Sequence, residues 1–206
     1  MERNDRAVWA LLAAFMAVLA WSAIDPHDRF TWALEVFPAL IGIAILLATR
    51  GKFRFTTLIY SLICVHACIL FVGGHYTYAE VPLFNSLRDH FHLARNHYDR
   101  LGHFAQGFVP AMITRELLLR TSALKKGKWL FFLSFCVCMA ISAFYEIFEW
   151  RVAVATGSAA DAFLGSQGDV WDTQWDMTFC SFGALTALLA LTGLHDKQLA
   201  RLENLS

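Results

Sequence analysis

The amino-acid sequence predicts an all-α fold, a polytopic membrane helix bundle of about six transmembrane helices, as one integral-membrane domain over residues 1–206. Two observations predict it. The chain is 57% hydrophobic and 15% aromatic with only 17% charged residues, whereas soluble domains run nearer 45–50% apolar and about 25% charged. Its apolar residues also gather in six stretches near the roughly 20 residues that a helix needs to cross a bilayer core of about 30 Å. Long apolar runs, rather than ten-residue alternations separated by turns, indicate helices and not a barrel.

The first stretch runs from Ala7 to Ile24. Arg3 and Arg6 before it look like the basic start of a secretory signal. The run is longer than a usual signal core, however, and Ala20-Trp21-Ser22-Ala23 puts a large Trp where cleavage needs a small residue. It reads as an uncleaved first span. The second and third run from Thr31 to Thr49 and from Phe55 to Gly73. The fourth, Asp99 to Leu119, is interrupted by Gln106, Thr114 and Glu116, and the fifth and sixth run from Trp129 to Trp150 and from Trp175 to Leu194. Two connections are long. In 74–98, Pro82, Asn85 and the stretch Leu83 to Leu93 suggest a short interfacial helix with Leu83, Phe84, Leu87, Phe91 and Leu93 on its apolar face. In 152–174, Gly157, Gly165 and Gly168 suit a folded turn that returns acids to the membrane.

Orientation follows from the basic residues. With the N-terminus inside, Arg3, Arg6, Arg50, Lys52, Arg54, Arg115, Arg120, Lys125, Lys126, Lys128, Lys197 and Arg201 are inner, and Arg29, Arg88, Arg95, Arg100 and Arg151 are outer. Both termini are therefore expected in the cytoplasm. The balance of 17 basic and 17 acidic residues gives no pull towards nucleic acid. An odd set of five cysteines, all inside the apolar stretches, reads as small packed side chains rather than a disulfide framework.

Chemistry concentrates between Asn96 and Met177. Asp99 and His103 are four apart and share a face at the outer end of the fourth span. Asp172 and Asp176 repeat that spacing at the sixth, and Glu146 and Glu149, three apart, share a face at the fifth. Asp169 lies just before the sixth. Ionisable groups in or near hydrocarbon are costly and mark pathways, relays or coordination sites. Like charges at such spacing must share protons or hold a cation between them. Asp99, His103, Glu149, Asp172 and Asp176 are the expected ligands of a divalent metal, with Zn, Mn and Mg all compatible with carboxylate and imidazole. Glu146 and His97 are the expected general acid/base groups. His75, Arg100 and Arg151 are the expected substrate contacts, the two arginines as a phosphate clamp. Capping alone would account for Asp99 and Asp172, which open helices, but not for Glu146 and Glu149, which close one.

Five stretches, WSAIDPHDRFTWALEVFPALIG, VGGHYTYAEVPLFN, NHYDRLGHFAQGFVPA, YEIFEW and GDVWDTQWDM, resemble the bacterial inner-membrane family typified by YjdF. The resemblance covers nearly the whole chain. It implies a multi-pass protein of the bacterial inner (plasma) membrane and brings no established activity with it. The order of Asp99 and His103, then Glu146 and Glu149, then Asp172, Asp176 and Gly183 is also similar to VanZ-like membrane proteins, although Cys180 stands where that pattern has an Asn. This second resemblance implies envelope lipids or cell-wall precursors as ligands.

The first reading is thus a small membrane enzyme acting at the outer leaflet on a lipid or lipid-linked substrate. No G-x-S-x-G nucleophile motif is present, so hydrolysis and group transfer both stay open. The alternatives are a proton- or cation-coupled transporter, against which stand polar groups at one face and the lack of an inverted repeat, and a non-catalytic envelope factor.

Overall fold

A computed structural model describes residues 2–203, and all regular structure among them is helical. The order is α1 (Glu2–Ser22), α2 (Arg29–Thr49), α3 (Thr57–His75), α4 (Pro82–Phe91), α5 (Tyr98–Thr121), α6 (Lys128–Thr156), a 3-10 turn (Gly157–Ala160), α7 (Asp161–Leu164), α8 (Asp172–Ala190) and α9 (Thr192–Glu203). Local chemistry sets several boundaries. Asp28 caps α2 by accepting the Thr31 N–H at 2.6 Å, and Thr56 caps α3. Pro82 opens α4, where its missing N–H costs nothing, and His92 closes it in the left-handed region. The amphipathic character expected of this segment is present: Leu83, Leu87 and Phe91 are exposed while Phe84 packs edge-on against Tyr98.

Among the described residues, three helices, α2, α3 and α6, are long and apolar enough to cross a membrane. A fourth candidate is the pair α8 and α9, bent by 59°. The sixth apolar stretch predicts a helix unbroken to Leu194. The bend arises because α9 is drawn across the bundle end, where His195 bonds Glu116 and Gln198 accepts the Leu58 N–H. The helix α5 is less apolar than these for a clear reason. Arg100, His103, Arg115 and Glu116 lie on it, and all four are buried inside the bundle.

Packing places α5 at the centre, in contact with α3, α6 and most closely α8, while α1 and α2 rest on α3. The α5–α8 approach depends on two glycines. A Cβ on Gly107 would sit 1.8 Å from the Cys180 carbonyl oxygen, and one on Gly183 would sit 1.9 Å from that of Phe104. Close backbone approach through small residues is how membrane helices gain packing energy without a hydrophobic drive between them. One apolar core joins Ile59, Met112, Cys138, Cys180 and Leu188, and a second joins Phe15, Val36, Cys64 and Phe71. All five cysteines are free. The outer surfaces carry exposed Phe37, Ile45, Trp129, Phe144 and Leu189, as a lipid-facing surface would.

Candidate functional site

At the N-terminal end of α5, the start of α8, two loops and the stretch of α6 around Glu146 and Glu149 meet. The helix α6 runs on to Thr156, so these two acids do not close it, contrary to the expectation from sequence. The loop before α8 folds back through left-handed Gly165 and Gly168, and Gln167 fixes it by a two-way bond with the Asn96 backbone (3.0 and 2.9 Å). This fold delivers Asp169, Asp172 and Asp176 to two buried arginines. Arg100 bonds Asp176 and lies 3.0 Å from Asp172 and 3.2 Å from Asp169. Arg95 bonds Asp172 at 2.5 Å and the carbonyls of Gly165 and Ser166 at 3.0 Å each. Two guanidiniums thus compensate much of the negative charge, and buried charges persist only when paired in this way.

His103 sits next to that pairing. Its Nδ1 donates to Gln106 Oε1 at 2.9 Å, which leaves Nε2 facing Asp99 Oδ1 at 3.5 Å and Asp176 Oδ1 at 3.7 Å. Asp99, His103 and Asp176 each offer one ligand atom, all within 4.8 Å of one another. Atoms that each bind an ion at about 2.0–2.6 Å lie no more than about 5 Å apart, so the set is compatible with one cation. Two buried oxygens beside it, Asp99 Oδ2 and Glu146 Oε1, make no hydrogen bond. Glu146 Oε1 is 3.8 Å from His103 Nδ1.

Asp99 and His103 of this cluster line the upper end of a cavity of about 150 Å³ that descends into the bundle. Its polar lining is Glu35, His66, Tyr78, Asp99, His103, Gln106, Tyr145 and Glu149. Glu35, in the apolar α2, is 5% exposed and accepts the Tyr145 hydroxyl at 3.4 Å.

A model of the family described as Predicted membrane protein (DUF2238) matches residues 7–197. The chain belongs to this family. It is 48% identical over 184 residues to Inner membrane protein YjdF of Escherichia coli (strain K12), covering 89% of this chain and 88% of that protein. No solved structure matches. This member of the family is accordingly a multi-pass protein of the bacterial inner membrane.

The expected site residues divide into three groups. Asp99, His103, Glu146, Glu149 and Asp176 are brought together, all buried. Arg100 is taken up by Asp172 and Asp176, so it is not an open phosphate clamp. Asp172 is held by both Arg95 and Arg100 and Asp176 by Arg100 alone, so of the two Asp176 is the less fully engaged. His97, His75 and Arg151 do not join. His97 is half-buried at the N-cap of α5, off the cavity, where burial and the charges of Arg95 and Arg100 hold its imidazole below the ordinary value. His75 bonds the Ser22 carbonyl (3.1 Å) and stacks on Trp21, because α3 turns its last residue towards α1. Arg151 is exposed over the Trp150 ring, on the far side of α6 from Glu149.

Glu35, His66 and Tyr145 escaped the sequence reading. The signal was present for two of them: a lone acid in the second span and a lone His in the third are the costly intramembrane groups that mark function. Tyr145 gave none, since aromatic residues are ordinary in such helices.

Proposed function

We propose that this protein spans the inner membrane six times with both termini in the cytoplasm, and that it is an enzyme of the outer leaflet. In this reading Asp99, His103 and Asp176 hold a divalent cation, Zn, Mn or Mg, and the substrate is a lipid or lipid-linked envelope molecule. The observation that carries it is the orientation of His103. Gln106 takes Nδ1, as outer-shell acceptors do for metal-bound histidines, and Nε2 then points between two carboxylates. The ion would polarise a phosphoryl or carbonyl oxygen or activate water. Glu146, with an unbonded oxygen beside His103, and Glu149 on the same helix face would move the proton. Arg100 and Arg95 act on the site by positioning Asp176 and Asp172. The VanZ-like order of acids supports the same substrate class.

Elemental analysis of purified protein tests this reading. Wild type is expected to carry near-stoichiometric metal that His103→Ala and Asp176→Asn both lose while remaining folded. Equal metal content in all three proteins would sink it. A second reading, proton- or cation-coupled transport, is favoured by His66 and Gln106, which continue the polar lining downward from His103. Metal-free protein whose His103 variant alters proton flux in vesicles would favour that alternative.

A further inference from the structure

We infer that the cavity is open sideways to the bilayer between α2 and α6, and that Glu35 and Tyr145 there receive the ammonium-bearing head of a membrane phospholipid. This deepens the enzyme reading above and rests on it for the fate of the lipid, but not for its binding.

The opening follows from what packs on what. The helix α2 rests on α3, and α6 rests on α5 and α8. The two therefore wall the cavity without packing along each other, and they meet through the Tyr145 hydroxyl on Glu35. Pro38 and Ile141, on the two sides of the gap, line the cavity and are also exposed. Phe37, Phe144 and Phe148 beside them are exposed apolar side chains. The approach from water is covered instead. The helix α7 lies against α2, and its Phe163 is buried and packs edge-on against Phe148.

The lining is graded along the membrane normal. From Asp99 to Pro110 it covers about 16 Å of α5 at roughly 1.5 Å per residue, about half a bilayer core. Acids, the His103 imidazole and tyrosines occupy the upper part, and Pro38, Pro110 and Ile141 the lower part, where Gln106 and His66 are the polar groups. A cavity of about 150 Å³ accommodates a polar head and not a pair of acyl chains, which would pass out between α2 and α6 past Pro38 and Ile141. Charge selects among heads. Three carboxylates, Glu35, Asp99 and Glu149, line the cavity, and among its lining residues there is no Lys or Arg. Such a wall offers oxygen acceptors to the N–H groups of an ammonium head and no cationic side chain to a purely anionic one. The phosphate of the same lipid would then lie towards His103.

The test is native mass spectrometry of wild type, Glu35→Gln and Ile141→Trp, each reconstituted with equal phosphatidylethanolamine and phosphatidylglycerol, with metal content measured on the same samples. Wild type is expected to retain phosphatidylethanolamine preferentially. Glu35→Gln should lower that retention about tenfold, the loss of one charge-assisted hydrogen bond. Ile141→Trp should lower it by filling the gap from the lipid side, and neither variant should change the metal content. Preference for phosphatidylglycerol, or ethanolamine-lipid retention equal in all three proteins, would overturn the inference. A metal-free wild type that still retains the ethanolamine lipid in this pattern would support the lipid site and sink the metal reading alone.

Discussion

The two ends of α5 each bury an ionic network, and they are finished differently. At the C-terminal end, Glu116 is fully buried and receives the Thr56 hydroxyl (2.8 Å), Arg120 (2.7 Å) and His195 Nε2 (2.8 Å). Arg115 closes the circuit by donating to His195 Nδ1 at 2.6 Å and to Asp196 at 2.7 Å. No buried atom of these residues lacks a partner. At the N-terminal end, Asp99 Oδ2, Glu146 Oε1 and Arg95 Nε make no hydrogen bond, and the network opens onto a cavity. A closed polar network rigidifies a bundle, whereas an unfinished one stores an unmet demand for a partner. The first end ties α3, α5 and α9 together; the second is where a ligand has something to complete.

Breaking the closed end should have the largest effect. Glu116→Ala strands Thr56, Arg120 and His195, and should cost about 3–5 kcal/mol in reversible unfolding in detergent. A loss below about 1 kcal/mol would show that this end is no clamp. Gly183→Ala comes next, at about 1–3 kcal/mol, because its Cβ drives α8 off the Phe104 carbonyl. Since Asp176 rides on α8 and His103 on α5, this variant should also loosen the open end, seen as reduced metal content, while leaving the Glu116 contacts with Thr56 and His195. Glu149→Gln sharpens the contrast from the other side. Removing one of several like charges at an unfinished site should leave stability within about 1 kcal/mol of wild type or raise it. A loss as large as that of Glu116→Ala would erase the distinction between the ends.

The smallest effect expected is a pH slope. The folded state holds His97 below its ordinary value of 6.5, through burial first and then the charges of Arg95 and Arg100. A histidine with a depressed folded pKa binds its proton more readily when unfolded. Stability should therefore fall as pH drops below about 6.5 and level off below the folded pKa. His97→Gln should flatten that part of the unfolding profile. An unchanged slope would remove His97 from the margin of the open network.

Much of this was legible in the chain. Apolar stretches anticipated α1, α2, α3, α5, α6 and α8 closely, because hydrocarbon-length runs leave little choice but helix. The i, i+4 spacing of Asp99 with His103, and the i, i+3 spacing of Glu146 with Glu149, fixed a common face for each pair before any fold was known. Less was readable where partners come from afar. Arg95 and Arg100 meet Asp172 across more than seventy residues, and His195, an unremarkable residue near the end of an apolar run, becomes the acceptor for Arg115. The bend between α8 and α9 has the same origin, since long-range bonds to α3 and α5 steer α9.

By itself, then, the sequence determined which segments are helical, that they belong in a membrane, and which helix faces are polar, because hydropathy and helical period are local properties. Tertiary structure alone decided which acids are neutralised by arginine, that Glu35 and Tyr145 join His103 around one cavity, and that α2 and α6 leave a gap. Those depend on the hand and order in which helices pack, on two glycines that let α5 and α8 approach, and on a loop folded back by Gly165 and Gly168. No residue's neighbours along the chain encode them.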